Sequence, residues 1–128
     1  MIKLIVSDID GTLVPEGNTD LNPEYLEVIK KLTEKGIVFA AASGRHASSI
    51  HAVFQPVSER IYYVSDNGAC IEKNGKEERA LYLPAKELRE LLYEARKMEG
   101  CYVMFSAVDG FYTDAKDETF SEGVLGGY

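Results

Sequence analysis

The chain has 128 residues, 45% hydrophobic and 27% charged, a balance that supports a packed core and excludes a disordered polyelectrolyte. Its formal charge of -7 and pI near 4.8 repel phosphate backbones and anionic bilayers, so nucleic acid and membrane are excluded as partners and any phosphorylated ligand must be captured by local donors. The N-terminal "MIKLIVSD" is too short for a secretory signal and no run is long and apolar enough to span a bilayer, so the expected location is cytoplasmic.

Residues 2–7, IKLIVS, form a nearly continuous apolar run, as expected of a strand covered on both faces of a parallel sheet. A helix follows a polar loop: Asn22 suits the N-cap, Pro23 the first helical position, Tyr25, Ile29 and Leu32 share a face, and Gly36 closes the end. A second buried strand is IVFAAA at 37–42. A shorter helix over 46–54 carries Ile50, Val53 and Phe54 on one side and ends at Pro56, and IYYVS at 61–65 is a third strand. Strand, helix, strand, helix, strand with short links predicts two right-handed βαβ units, an α/β class sheet whose ligands gather at the carboxyl ends of its strands. That edge receives SDIDGT, SGRH and SDNGA.

After residue 68 the pattern changes. Asn74-Gly75 between ACIE and EERALYL is a two-residue hairpin signal. Residues 84–99 read as a helix with Leu88, Leu91, Leu92, Ala95 and Met98 along one stripe, taken as core. CYVMFSAV then turns at Asp109-Gly110 into FYT. This hairpin, helix, hairpin order predicts an α+β insert beginning near Gly68. From Asp114 to Tyr128 the periodicity is lost, as in a tail or an incomplete segment. Cys70 and Cys101 lack metal-ligand spacing and read as buried free thiols.

The chemistry concentrates on Asp8 and Asp10. One Asp before Gly is ordinarily a turn cap. Two of them at i and i+2 on an extended strand point the same way and repel unless a cation or shared proton intervenes. The pair suits Mg²⁺, a hard cation that takes oxygen ligands, and suits a split between an ionised nucleophile and a proton donor. Gly11 and Thr12 add backbone N–H groups that a phosphoryl group could use as a nest.

DIDGTL at 8–13 resembles motif I of the haloacid dehalogenase-like (HAD) hydrolases, AASGR at 41–45 is similar to their motif II, and SDNGA at 65–69 before a hairpin and helix looks like the start of the cap in the Cof-type subfamily. The resemblance runs from Met1 to about Thr113. It implies a partial Rossmann-like core at 1–68, the first part of an α+β cap at 69–113, and a tail or truncated cap segment at 114–128. It also implies phosphoryl transfer from a small phosphorylated substrate, such as a sugar phosphate, through an aspartyl phosphate with Mg²⁺. Asp8 would be nucleophile and metal ligand. Asp10 would protonate the leaving oxygen, activate water, and face the metal with its backbone carbonyl. Ser43 would bond a phosphoryl oxygen while Gly44 lets its backbone approach.

Each of the other candidates has a plainer alternative. Ser43 also suits a cap on the following helix. Arg45 would either grip a substrate phosphate or pair with one of the many acids. Asn67 either faces the cleft or sits in an ordinary turn. His46 and His51, five apart, share no helical face and read as surface or flanking residues.

The family's downstream Lys and distal Asp pair have no counterpart: Lys116, Asp114 and Asp117 lie in the wrong context. Without later strands the motif I strand would sit at an open edge, which a second copy or a partner chain would have to cover. Two readings of the chain follow, an N-terminal portion of a longer enzyme or a truncated form. Besides the phosphatase, the sequence leaves open a non-catalytic phosphate- or metal-binding module. A receiver-type phosphoacceptor fits less well, since its acceptor follows a later strand.

Overall fold

A computed structural model of the chain describes residues 1–15 and 20–113. Two compact units are present, the first Met1–Leu81 and the second beginning at Tyr82.

The first unit contains β1 (Leu4–Asp8), α1 (Pro23–Glu34), β2 (Val38–Ala42), α2 (Ala47–Val53), a 3₁₀ segment (Gln55–Arg60), β3 (Tyr62–Ser65), β4 (Cys70–Lys73) and β5 (Lys76–Ala80). They form one sheet in the order β1-β2-β3-β4-β5. The first three strands are parallel, and β4 and β5 add antiparallel. Asp8 pairs with Ala42 and Ala42 with Val64, so the three parallel strands end level and their following loops share one edge.

Local signals place α1 as expected. The Asn22 side chain accepts from the Glu24 N–H at 2.9 Å, satisfying an otherwise orphaned donor, and Pro23 stands in the first turn. Its buried stripe is Leu26, Ile29 and Leu32, while Tyr25 points outward. Because the strand order runs in one direction and each crossover is right-handed, both helices pack on the same face. There Ile29, Ile50, Phe54 and Val57 close over Phe39, Ala41 and Tyr63. The opposite face gains no helix from this unit: Leu4 is 56% and Val6 55% exposed, with Val38 beside them. β1 is therefore an edge strand covered on one face, not the doubly covered strand its composition predicts.

The hairpin also lies elsewhere than expected. Asn74 and Gly75 take φ of 54° and 66°, as a two-residue primed turn requires, but β4 pairs with β3. The first compact unit runs through Leu81, because four register pairs from Tyr62↔Lys73 to Ser65↔Cys70 bind the hairpin to the first sheet.

The second unit contains α3 (Ala85–Ala95) and the hairpin β6 (Met104–Ala107) with β7 (Gly110–Thr113). α3 is shorter than the periodicity suggests, and its leucine stripe is not buried core: Leu91 is exposed and Leu88, Leu92 and Ala95 are half-buried. The tail or truncated cap segment expected at 114–128 lies outside the described residues. Among the described residues, no helix is long and apolar enough to cross a membrane.

Neither cysteine is fully buried: Cys70 is half-buried and Cys101 exposed, and both are free. Burial pushes the Cys70 thiol up, carboxylates Glu72, Glu77 and Asp66 push the same way, and only a hydrogen bond with Ser65 opposes them. Thiolate, the reactive form, is thereby depleted at Cys70. Iodoacetamide at mildly alkaline pH should label Cys101 first and Cys70 roughly tenfold or more slowly, as read by peptide mass spectrometry.

Candidate active site

The loop after β1 is built around one carbonyl. Ile9 is fully buried and its oxygen accepts from the N–H groups of Thr12, Leu13 and Val14, at 3.2, 2.9 and 2.9 Å. The Gly11 N–H donates to Val14 O at 2.8 Å, with Gly11 at φ +75°, a region a side chain would strain. The expected nest is thus not available: the Gly11 and Thr12 amides are both spent inside the turn. Their contribution is to fold the loop so that Asp8 and Asp10, on either side of the anchored Ile9, stay exposed.

Asp8 ends β1, and the Thr12 hydroxyl lies 3.4 Å from its Oδ2, a long and weak contact. Asp10 is more tightly engaged. Its Oδ2 accepts from Ser43 Oγ at 3.2 Å and from Arg45 Nε at 3.2 Å, and its Oδ1 accepts from Arg45 Nη2 at 2.6 Å. The cation that the paired carboxylates call for is therefore supplied, at Asp10, by the protein itself. Of the two fates open to Arg45 in the sequence, the ion pair is the one seen, and its partner is the second motif aspartate.

Ser43 does not cap α2. His46 does, its Nδ1 accepting from the Ser48 N–H, and it is 6% exposed instead of flanking the surface. Ser43 Oγ instead accepts from the Arg45 N–H at 3.1 Å while donating to Asp10, which fixes the Ser43-Gly44-Arg45 loop against motif I. The Gly44 N–H donates to no described residue and remains open at this edge.

The turn after β3 braces the same loop. Asp66 and Asn67 both take left-handed backbone, φ 51° and 55°, which costs non-glycine residues about 1 kcal/mol or more each. That geometry turns their N–H groups onto Arg45 O at 3.0 Å and Ser43 O at 3.3 Å. The Asn67 carboxamide packs over Gly44, where an added Cβ would stand 2.9 Å from its Oδ1. Asp66 was not singled out from the sequence, and only its place in an Asp-Asn-Gly turn signals its conformation. His51 differs from the surface residue expected: it is half-buried, meets Glu72 of β4 and lies against the Tyr63 ring, 4.2 Å between centroids, tying α2 to the sheet.

The donor set at this edge suits the expected Mg²⁺ through some of its oxygens and not others. All available ligands are oxygens: the Asp8 carboxylate, which is exposed, and the Asp10 carbonyl, which accepts from no described residue. This fits a hard cation that keeps several waters. The Asp10 carboxylate, occupied by Arg45 and Ser43, fits less well than its carbonyl. Among the described residues no group of three or more His, Cys, Asp and Glu could enclose a metal.

Residues 5–124 match the family described as haloacid dehalogenase-like hydrolase. The chain is 31% identical over 94 residues to the HMP-PP phosphatase of Serratia proteamaculans, covering 73% of this chain and 34% of that protein. It is 29% identical over 76 residues to the 5-amino-6-(5-phospho-D-ribitylamino)uracil phosphatase YbjI of Escherichia coli, 59% of this chain and 28% of that one. A crystal structure of an Eubacterium rectale protein superposes with a TM-score of 0.83 at 30% identity, over 94% of this chain and 46% of the other. The chain thus spans about a third of these curated relatives and about half of the solved structure.

Proposed function

The chain belongs to the haloacid dehalogenase-like hydrolases, and from that premise we propose that its chemistry is Mg²⁺-dependent hydrolysis of a small phosphomonoester, such as a sugar phosphate, through an aspartyl phosphate. The observation that carries the reading is the convergence of Asp10, Ser43 and Arg45, from the ends of β1 and β2, beside an exposed Asp8. The E. coli relative's name specifies a phosphorylated ribityl compound, which supports a small metabolite as substrate.

In this mechanism an Asp8 oxygen attacks phosphorus, the bond to the ester oxygen breaks, and Asp10 gives that oxygen a proton. Asp10 then takes a proton from the water that attacks phosphorus and releases Asp8. The exposed, lightly held Asp8 carboxylate is suited to attack, since it has few hydrogen bonds to surrender. The open Gly44 N–H would donate to a phosphoryl oxygen, while the Ser43 hydroxyl, its proton on Asp10, would hold that carboxylate beside it. The Asp8 carboxylate and the Asp10 carbonyl would hold Mg²⁺, which would supply neutralisation of charge building on the phosphoryl oxygens. Asn67, whose carboxamide packs over Gly44, would meet the rest of the substrate.

p-Nitrophenyl phosphate should be turned over with Mg²⁺ and not after chelation, followed by nitrophenolate absorbance. Calorimetric binding of Mg²⁺ or phosphate without turnover would instead make the chain a binding module.

A further inference from the structure

Arg45 presents one edge of its guanidinium, Nε and Nη2, to both oxygens of Asp10. That is the edge with which an arginine grips a phosphate in two-point fashion, and here it is spent. Counting acceptors on Asp10 gives an asymmetric result. Oδ2 has two lone pairs and receives two donors, Ser43 Oγ and Arg45 Nε; Oδ1 receives only Arg45 Nη2 and keeps one lone pair open. Arg45 is itself held at both ends of its backbone, its N–H on Ser43 Oγ and its carbonyl accepting from Asp66 N–H, and its side chain is only 21% exposed.

We propose that Arg45 is a positioning residue for Asp10 and not a substrate-phosphate ligand: it fixes the carboxylate plane and, together with Ser43, saturates Oδ2, so that Oδ1 is the atom that exchanges protons with the leaving oxygen and the water. This rests on the hydrolase reading for its chemical role, while the pairing itself stands apart from it. The energetic gain from a half-exposed pair is small, so its effect is on orientation. Lysine keeps the charge but lacks the planar fork and cannot hold both oxygens at once.

Two measurements test this on the chain as it exists. In ¹H–¹⁵N spectra the Arg45 Nε–H should exchange slowly with solvent in the wild type and lose that protection in Asp10→Ala. A wild-type Nε–H exchanging as fast as that of the exposed Arg89 overturns the proposal, with or without turnover. With p-nitrophenyl phosphate, Arg45→Ala should lower kcat by roughly 10²-fold at nearly constant KM. Free guanidinium should restore part of the rate, and Arg45→Lys should remain as slow as alanine. A raised KM at unchanged kcat, or full recovery by lysine, overturns the proposal. Absence of turnover in the wild type removes the hydrolase reading, and the exchange measurement then decides the pairing alone.

Discussion

Asp8→Asn should reduce phosphomonoester turnover by roughly 10⁴-fold or more while leaving the fold intact. The substitution keeps shape and one oxygen but replaces a charged nucleophile with a neutral amide. It also removes the anionic ligand from the proposed cation site. The fold should tolerate the change because Asp8 is exposed and, among the described residues, its carboxylate is approached by one hydrogen-bond donor, Thr12 at 3.4 Å. Thermal melts of the two proteins should therefore nearly coincide, so the loss can be assigned to chemistry. Mass spectrometry of quenched reactions should find a phosphoryl adduct on the wild type and none on Asp8→Asn. Equal rates in the two proteins would remove Asp8 as nucleophile.

The second large effect concerns stability. Phe54 is fully buried where α2 gives way to the 3₁₀ segment, its N–H bonded to Ile50 O and its carbonyl to Val57 N–H. Its ring meets Tyr63 edge-on at 6.4 Å between centroids. Tyr63 is itself fixed, its hydroxyl donating to Ser58 O, and burial together with the Glu72 charge pushes its phenol well above the ordinary value. These neighbours cannot collapse into the space that Phe54→Ala would leave. The expected loss is about 3–5 kcal/mol, a large share of the 5–15 kcal/mol typical of a whole domain. Urea titration should show the midpoint falling sharply with little change in slope. A loss below about 1 kcal/mol would mean that this corner is loosely packed.

Where a residue's role is decided by its near neighbours in sequence, the sequence was sufficient. Asn22 and Pro23 start α1, Asn74-Gly75 turns a hairpin, and the alternation of strands and helices sets three parallel strands with their loops on one edge. The meeting of Asp10, Ser43 and Asn67 at one edge was legible for the same reason, since topology alone brings them there. What escaped depends on contacts between distant segments. Ser43 resembled a cap because it precedes a helix, yet a partner 33 positions earlier claims its hydroxyl and leaves the cap to His46. Gly11 and Thr12 offered amides that the buried loop consumes internally. The pairing of the hairpin after Gly68 with β3 was not legible, because hydropathy cannot say which sheet a strand will join. For β1, an apolar run indicates burial on two faces, but both helices go to one side.

The two hydrogen bonds that tie the Ser43-Gly44-Arg45 loop to the Asp66-Asn67 turn run between main-chain atoms. Peptide groups are the same whichever side chains they carry, so this cross-link does not constrain what the loops display. New recognition elements can be tried at position 67 without unfastening the scaffold that aims the carboxylates. A protein built this way can change its clientele by point substitution while its reaction stays the same.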